Sequence, residues 1–189
     1  MPRQRTIPDE ALLDEALLVV RAAGPDALTF AALAARVDLA ASTIVQRFGT
    51  KAALLHAALS RAWDHLEEET SAAIDACVME PLGAIEMLVR LSGQYDPDDF
   101  ADQLLILRED LRDPVLRTRG QRWLATLTRA IEDRLGLPPE ATAGLGDLVV
   151  TQWQGTLTVW SFRRDAPLVD AVRTGLEDLF DRLGLGPPR

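Results

Sequence analysis

Apolar residues recur at three- and four-residue spacing along nearly the whole chain, β-branched runs are scarce, and Ala, Leu, Arg and Glu dominate. That period belongs to helices, so the chain reads as all-α. Leu13, Ala16, Leu17 and Val20 form one stripe of a first helix over about 8–23. Gly24-Pro25 ends it, a glycine stop followed by a residue that cannot continue the helix. Short helices are predicted over 30–36 and 41–47, the first with Thr29 as N-cap. A longer helix opens at Lys51, capped by Thr50, and runs through Leu66 into Glu67-Glu68-Glu69, which reads as a solvated face, not a metal site. Pro81 marks the next break. Helices are predicted over 82–94, 98–111 and 114–135, separated by Asp96-Pro97 and Asp113-Pro114. Gly136 to Pro139 makes a turn, and two final helices over about 140–164 and 167–183 are divided by Asp165-Ala166-Pro167. The tail from Gly184 reads as frayed.

The stretch from Leu28 to Phe48 carries the most specific geometry. Phe30, Leu33 and Ala34 give the first short helix an apolar face. Val37 and Leu39 flank a tight turn in which Asp38 can take the left-handed conformation that Asn and Asp tolerate. Ile44 and Phe48, four apart, bury one side of the second short helix. At about 100° per residue, Ser42 and Gln46 then lie on the opposite side, with Thr43 and Val45 beside them. Two short helices crossing at a small turn, the second with a polar outer face, form a helix-turn-helix pattern. Periodicity alone equally allows a plain helical hairpin inside a bundle.

Composition and charge narrow the function. The chain has 189 residues, 48% of them apolar, enough for one core or for a small domain joined to a larger one. Its apolar runs fall far short of the roughly 20 residues a membrane span needs. No apolar signal core follows Met1-Pro2-Arg3-Gln4-Arg5, so a cytoplasmic chain without a membrane partner is expected. Cys77 is the single cysteine and fits a reducing compartment as a small apolar residue. The net charge is −9, which opposes non-specific nucleic-acid binding. It is unevenly placed, however. Residues 1–60 hold six basic groups (Arg3, Arg5, Arg21, Arg36, Arg47, Lys51) and six acidic ones, and the remaining 14 basic and 23 acidic groups carry the whole excess. A specific reader near the N-terminus is therefore compatible with the charge.

Residues 7–60 resemble the DNA-binding domain of the TetR family of bacterial regulators. The matching features are a first helix ended by Gly24, then Leu28-Thr29, Leu33-Ala34 and the turn Val37-Asp38-Leu39. Ser42-Thr43-Ile44, Phe48 and the helix opening Lys51-Ala52-Ala53-Leu54-Leu55 follow without a gap. The resemblance implies an N-terminal three-helix domain over 1–50 that contains the helix-turn-helix. It further implies a helical ligand-binding and dimerisation domain over 51–189, with the fourth helix linking the two. It makes Thr29, Thr43, Arg47 and Lys51 phosphate contacts. Ser42 and Gln46 are the preferred base readers, since Gln can bridge N6 and N7 of adenine and Ser can serve several bases. Ala41 offers only apolar contact.

Lys51 stands out independently, as the lone lysine beside 19 arginines. A cation at a helix N-terminus costs roughly a few tenths of a kcal/mol, which an approaching phosphate offsets. The chain departs from the family at Val45, where an aromatic hydroxyl is usual, at Ala40, where a Ser-type cap is common, and at Asp38, which replaces the turn glycine. Arg3 and Arg5 add cations ahead of the first helix.

The resemblance also implies a small-molecule pocket and a two-fold dimer made by the last two helices. Trp123, Trp153 and Trp160, with Gln121 and Gln152, lie on the segments that correspond to pocket-lining helices, which fits a mainly apolar ligand. Leu148 and Leu157 on the penultimate helix, and Leu168, Val172, Leu176 and Leu179 on the last, provide the packing seam. The expected function is that of a repressor that binds a palindromic operator as a homodimer and leaves it on binding ligand. The alternative is a module with the same fold that binds ligand or protein and has lost its DNA reading. Catalysis is not expected. His56 and His65 are nine apart, outside the spacing of a helical metal pair, and no phosphate loop, nucleophile elbow or activated cysteine occurs. No metal or cofactor is expected.

Overall fold

The computed structural model describes residues 7–93 and 97–186, and every regular element among them is helical. Arg3, Arg5, Asp96 and the end of the tail from residue 187 lie outside the described residues. Helix α1 (Asp9–Ala23) begins with two carboxylates in its first turn and carries Arg21 in its last, both favourable for its dipole. Gly24 closes it at φ 77°, a left-handed value that costs glycine little, and its N–H donates to the Val20 carbonyl. A 3-10 turn (Pro25–Ala27) leads to α2 (Phe30–Val37). The Thr29 hydroxyl accepts from the Ala32 N–H at 3.0 Å and so caps α2. Asp38 ends α2 in the left-handed conformation expected of it, with φ 51° and ψ 46°.

Helix α3 (Ala41–Phe48) follows, then α4 (Lys51–Ala76), capped by the Thr50 hydroxyl at 3.1 Å from the Ala53 nitrogen. The remaining helices are α5 (Pro81–Ser92), α6 (Pro97–Arg112), α7 (Pro114–Glu132), the short α8 (Pro139–Thr142), α9 (Leu145–Arg163) and α10 (Leu168–Leu183). Two boundaries differ from the periodicity. Helix α4 continues seven residues past Glu69, where Thr70 and Ala73 are buried and Arg134 donates to the carbonyls of Ile74 and Cys77 at its C-terminal end. The segment predicted as one helix over 140–164 is two, since Gly144 turns left-handed at φ 81° between α8 and α9.

The chain forms two compact units. The first comprises the described residues of Met1–Leu66 with Ala101–Arg117. Its core joins Leu12, Ala16, Leu17 and Val20 of α1 to Leu28, to Leu33 and Ala34 of α2, to Ile44 of α3 and to Leu54 and Ala58 of α4, with Ile106 packed against them. Three carboxylates of α1 each hold a different helix. Glu15 meets Arg36 of α2 at 2.9 Å, Asp9 meets Arg47 of α3 at 3.0 Å, and Asp14 meets Arg61 of α4 at 3.0 Å.

The second unit comprises the described residues of Glu67–Phe100 and Thr118–Arg189. α10 packs on α9 and α5, and Trp153, Phe180, Met87, Leu88, Leu127 and Ile131 are its large, fully buried side chains. Gly146 lets α9 close on α7, because a Cβ there would lie 2.6 Å from the Thr128 carbonyl oxygen. Arg134 is buried without a carboxylate. Its guanidinium donates to the carbonyls of Ala130 (2.8 Å), Ile74 (2.5 Å) and Cys77 (3.3 Å), so the C-terminal end of α4 supplies its counter-dipole.

Leu176 has no exposed surface, and truncating it leaves a cavity in a packed interior. Leu176→Ala is expected to cost about 2–5 kcal/mol, measured by chemical denaturation. An unchanged unfolding midpoint would place Leu176 outside the core.

Candidate nucleic-acid interface

Helix α3 has eight residues, and no side chain caps it because Ala40 stands at its N-cap. So short a helix has little stability of its own, and tertiary contact must hold it. Ile44 supplies that contact at 0% exposure, with Ala41 and Phe48 packed beside it. The α2–α3 turn is closed by the Leu39 N–H donating to the Ala34 carbonyl, and Gly49 at φ 73° ends α3. With Ile44 fixed inward, Ser42, Val45 and Gln46 are exposed, while Thr43 and Ala41 are half-buried. The structure thus brings Ser42 and Gln46 onto one outward face and sets Thr43 at its edge.

The expected phosphate contacts are placed less uniformly. Thr29 is exposed, but its hydroxyl oxygen accepts the capping bond of α2. Its O–H remains a donor for an anion. Lys51 is exposed at the start of α4, and its Nζ donates to the Asp26 carbonyl at 2.7 Å. Two of its three N–H donors stay available. Arg47 turns back toward α1, and its Nη1 donates to the Ile7 carbonyl at 2.6 Å and to the Asp9 carboxylate at 3.0 Å. No sequence spacing linked Arg47 to residues 38 and 40 positions earlier, and only the folded chain reveals the clasp.

Residues 12–58 match the model of the tetR family of bacterial regulatory proteins. That segment is a DNA-binding domain of the TetR type. The match spans α2 and α3, which form the helix-turn-helix of a family of transcriptional regulators. No curated protein matches the chain by sequence. Solved structures share the fold at low identity. One, from Saccharomonospora viridis, is described as a transcriptional regulator in complex with choline. It is 18% identical, with 90% of this chain and 93% of that one covered and a TM-score of 0.72. A TetR-like transcriptional regulator from Rhodococcus sp. RHA1 is 17% identical, with 96% and 100% covered and a TM-score of 0.68. The multidrug binding protein EbrR, complexed with imidazole, is 18% identical, with 100% and 98% covered and a TM-score of 0.60.

The tryptophans singled out for a ligand site belong to the core of the second unit. Trp153 and Trp160 are buried, and Trp123 packs against that core with its ring centroid 6.3 Å from that of Trp153. Each indole N–H is satisfied, by Thr70 for Trp123, Ser92 for Trp153 and the Ala166 carbonyl for Trp160. Gln121 and Gln152 are exposed on the surface. The structure therefore brings Trp123 and Trp153 together and leaves the two glutamines outside.

The seam read from periodicity faces inward. Leu157, Leu168, Val172 and Leu176 are buried in the unit's own core, and Leu179 packs against it. Side chains already without accessible surface have none left to offer a partner. Leu148 is exposed, and it begins an outward row that the sequence reading missed: Leu148, Gln152, Gly155, Val159 and Phe162, with Phe162 87% exposed. The signal was present as alternating four- and three-residue spacing on a helix that is apolar on both sides.

Two polar links hold α4 to the 101–117 segment inside the first unit. His56 Nδ1 lies 2.7 Å from the Asp113 carboxylate, and the Trp63 indole N–H donates to Asp110 at 3.2 Å. Burial pushes the Asp110 carboxyl up to about 6, against the lowering effect of the Trp63 hydrogen bond, and the charges of Asp113 and Glu109 raise it further. The hydrogen bond from His56 holds Asp113 below the usual carboxylate range, against a smaller desolvation, and the backbone N–H groups of Val115 and Leu116 add to it. The two carboxyls act on stability in opposite directions. Asp113 stabilises above its unfolded range, and that contribution is lost as pH falls. Asp110 binds its proton more tightly when folded, so its contribution is present in acid and is lost as pH rises through about 6. Asp110→Asn keeps an acceptor for Trp63 and removes the charge. It is expected to raise stability at pH 8 by roughly 1 kcal/mol, after discounting for solvent screening. Denaturation across pH 4–8 checks this: the gain should vanish toward pH 4, and a gain independent of pH would reject the assignment.

Proposed function

We propose that this chain is a ligand-responsive repressor that binds a roughly palindromic operator as a homodimer and is released by a small molecule. The observation that carries the reading is the outward face of α3, where Ser42 and Gln46 are exposed because Ile44 has no exposure at all. In this reading residues 1–50 read DNA and 51–189 bind ligand and dimerise, with α4 linking the two. Gln46 and Ser42 contact base edges, Ala41 touches them only through its methyl, and Thr29, Thr43 and Lys51 contact phosphate.

The homodimer forms along the outer row of α9. Leu148, Val159 and Phe162 are apolar and exposed, and a Cβ on Gly155 would meet nothing within 4 Å. A bare glycine midway along such a row permits close helix crossing. A two-fold axis there sets two α3 helices to read half-sites about 34–36 Å apart, or a multiple of that. The effector is small and mainly apolar, taken up by the second unit near Trp123 and Trp153. Structures of the same fold that hold choline and imidazole support a small-molecule effector. Occupancy lowers DNA affinity by coupling the two binding equilibria. The chain acts in the cytoplasm, and no helix among the described residues is long and apolar enough to cross a membrane.

A second reading keeps the fold and drops the DNA. The ion pairs of Arg36 and Arg47 with α1 carboxylates favour it, since they reduce the cations presented outward.

Selection of sheared genomic DNA by the purified protein at physiological salt decides between the two. Enrichment of one palindromic sequence is expected, and none, from folded protein, favours the second reading. On the selected duplex, Gln46→Ala should relax preference at one position per half-site. Lys51→Ala should weaken all sequences alike and reduce the salt slope by about 0.9. Phe162→Asp with Val159→Asp should give a folded monomer by light scattering, and a persistent dimer would move the interface away from α9.

A further inference from the structure

The outward face of α3 carries no charge. Ser42, Val45 and Gln46 are the exposed residues of this helix, with Ala41 and Thr43 half-buried at the edges of the face. Ser42 and Gln46 lie opposite Ile44, and Val45 lies beside Ser42, about 100° round the helix from Ile44. The one cation in the α3 sequence is Arg47. It falls on the inner half of the helix, about 60° from Ile44. Its Nη1 donates to the Ile7 carbonyl at 2.6 Å and to the Asp9 carboxylate at 3.0 Å. The commonest base-specific contact in the major groove is a bidentate Arg or Lys on O6 and N7 of guanine. α3 turns no cation outward to make it.

Val45 is the apolar member of the face, and it is 39% exposed. It takes no part in the core of the first unit. Valine also forms helices less readily than alanine, so folding alone does not ask for it at this position. Its stiffness suits an intermolecular contact. One χ1 rotamer is strongly preferred in a helix, and little side-chain freedom is lost when such a group is covered. The apolar group that base pairs present in the major groove is the C5-methyl of thymine. Gln46, next along the helix, carries an amide able to bridge N6 and N7 of adenine.

We infer that α3 selects A·T base pairs: Val45 packs on a thymine methyl, Gln46 takes the N6–N7 edge of an adenine, and Ser42 between them tolerates more than one base. The inference rests on α3 being the DNA-reading helix, and it names the bases that this helix reads. Val45 is then a specificity-determining residue in its own right.

The test uses the full chain and the operator selected from genomic DNA, with each thymine of one half-site replaced in turn by deoxyuridine. That exchange removes the C5-methyl and keeps the base pairing. One thymine is expected to respond, its replacement weakening binding about fourfold, the worth of one buried methyl-sized group. In Val45→Ala the same replacement should have little effect. Alanine is the better helix former and the site is exposed, so the variant keeps its fold, which circular dichroism checks. The position relaxed by Gln46→Ala should be an adenine. The inference is overturned if no thymine responds, if the responding thymine costs the same in Val45→Ala, or if Gln46→Ala relaxes no A·T position. A folded parent that selects no DNA would instead remove the underlying reading of α3, and this inference with it.

Discussion

The outward face of α3 depends on the burial of one side chain, Ile44. α3 is eight residues long, starts at an alanine that cannot cap it and ends at a left-handed glycine. Nucleation is unfavourable for a helix of that length, so its conformation follows from what it packs against. Ile44 is fully enclosed by a core drawn from α1, α2 and α4. Its fixed direction sets the direction of every other side chain on α3 through the helical period. Ser42 and Gln46 face outward for that reason and no other. The missing cap weakens α3 locally, by about 1 kcal/mol on the scale of cap substitutions, and packing must supply the difference.

Electrostatics adds a second constraint. Three α1 carboxylates pair with arginines from α2, α3 and α4, so α1 acts as a charged strut across the helices that carry the reading surface. Each pair is partly exposed and contributes little to stability alone, of the order of 0–1 kcal/mol. They nevertheless fix where these cations point. An arginine held by Asp9 is not simultaneously a free point of attraction for phosphate. Within residues 1–60, two arginines are thus neutralised in space by α1 carboxylates, Arg36 by Glu15 and Arg47 by Asp9.

Much of this was legible beforehand because local chemistry determined it. The end of α1 at Gly24, the Thr29 and Thr50 caps and the left-handed Asp38 follow from interactions within a few residues, and the inward side of α3 was readable from the four-residue spacing of Ile44 and Phe48. What escaped the sequence required contacts far along the chain. The extension of α4 to Ala76 depends on Arg134, some 60 positions away, reaching the carbonyls of Ile74 and Cys77. The turn of Arg47 toward Ile7 is of the same kind. The tryptophans were visible as large apolar groups. Whether such a group lines a cavity or fills a core is a property of its neighbours, and Trp153 bonded to Ser92 is interior.

Helix α9 shows why periodicity cannot separate a monomer's core from its interface. Both place apolar residues at the same spacing, and α9 carries a continuous apolar row inside and three exposed apolar residues, Leu148, Val159 and Phe162, outside. The inner row of Val149, Val150, Trp153, Leu157 and Trp160 is buried within the unit. The outer row keeps Leu148 at 44%, Val159 at 47% and Phe162 at 87% exposure. Fully burying aliphatic and aromatic side chains of this size is worth about 1.5–3 kcal/mol each, and a two-fold interface counts every one twice. Association costs roughly 4–15 kcal/mol in lost freedom. The two quantities are of the same order, so a row of three such side chains can pair two copies only if the helices approach closely enough to bury all of them. Under the proposed pairing, Gly155, placed between Leu148 and Phe162 with nothing within 4 Å of where its Cβ would lie, would leave room for that approach.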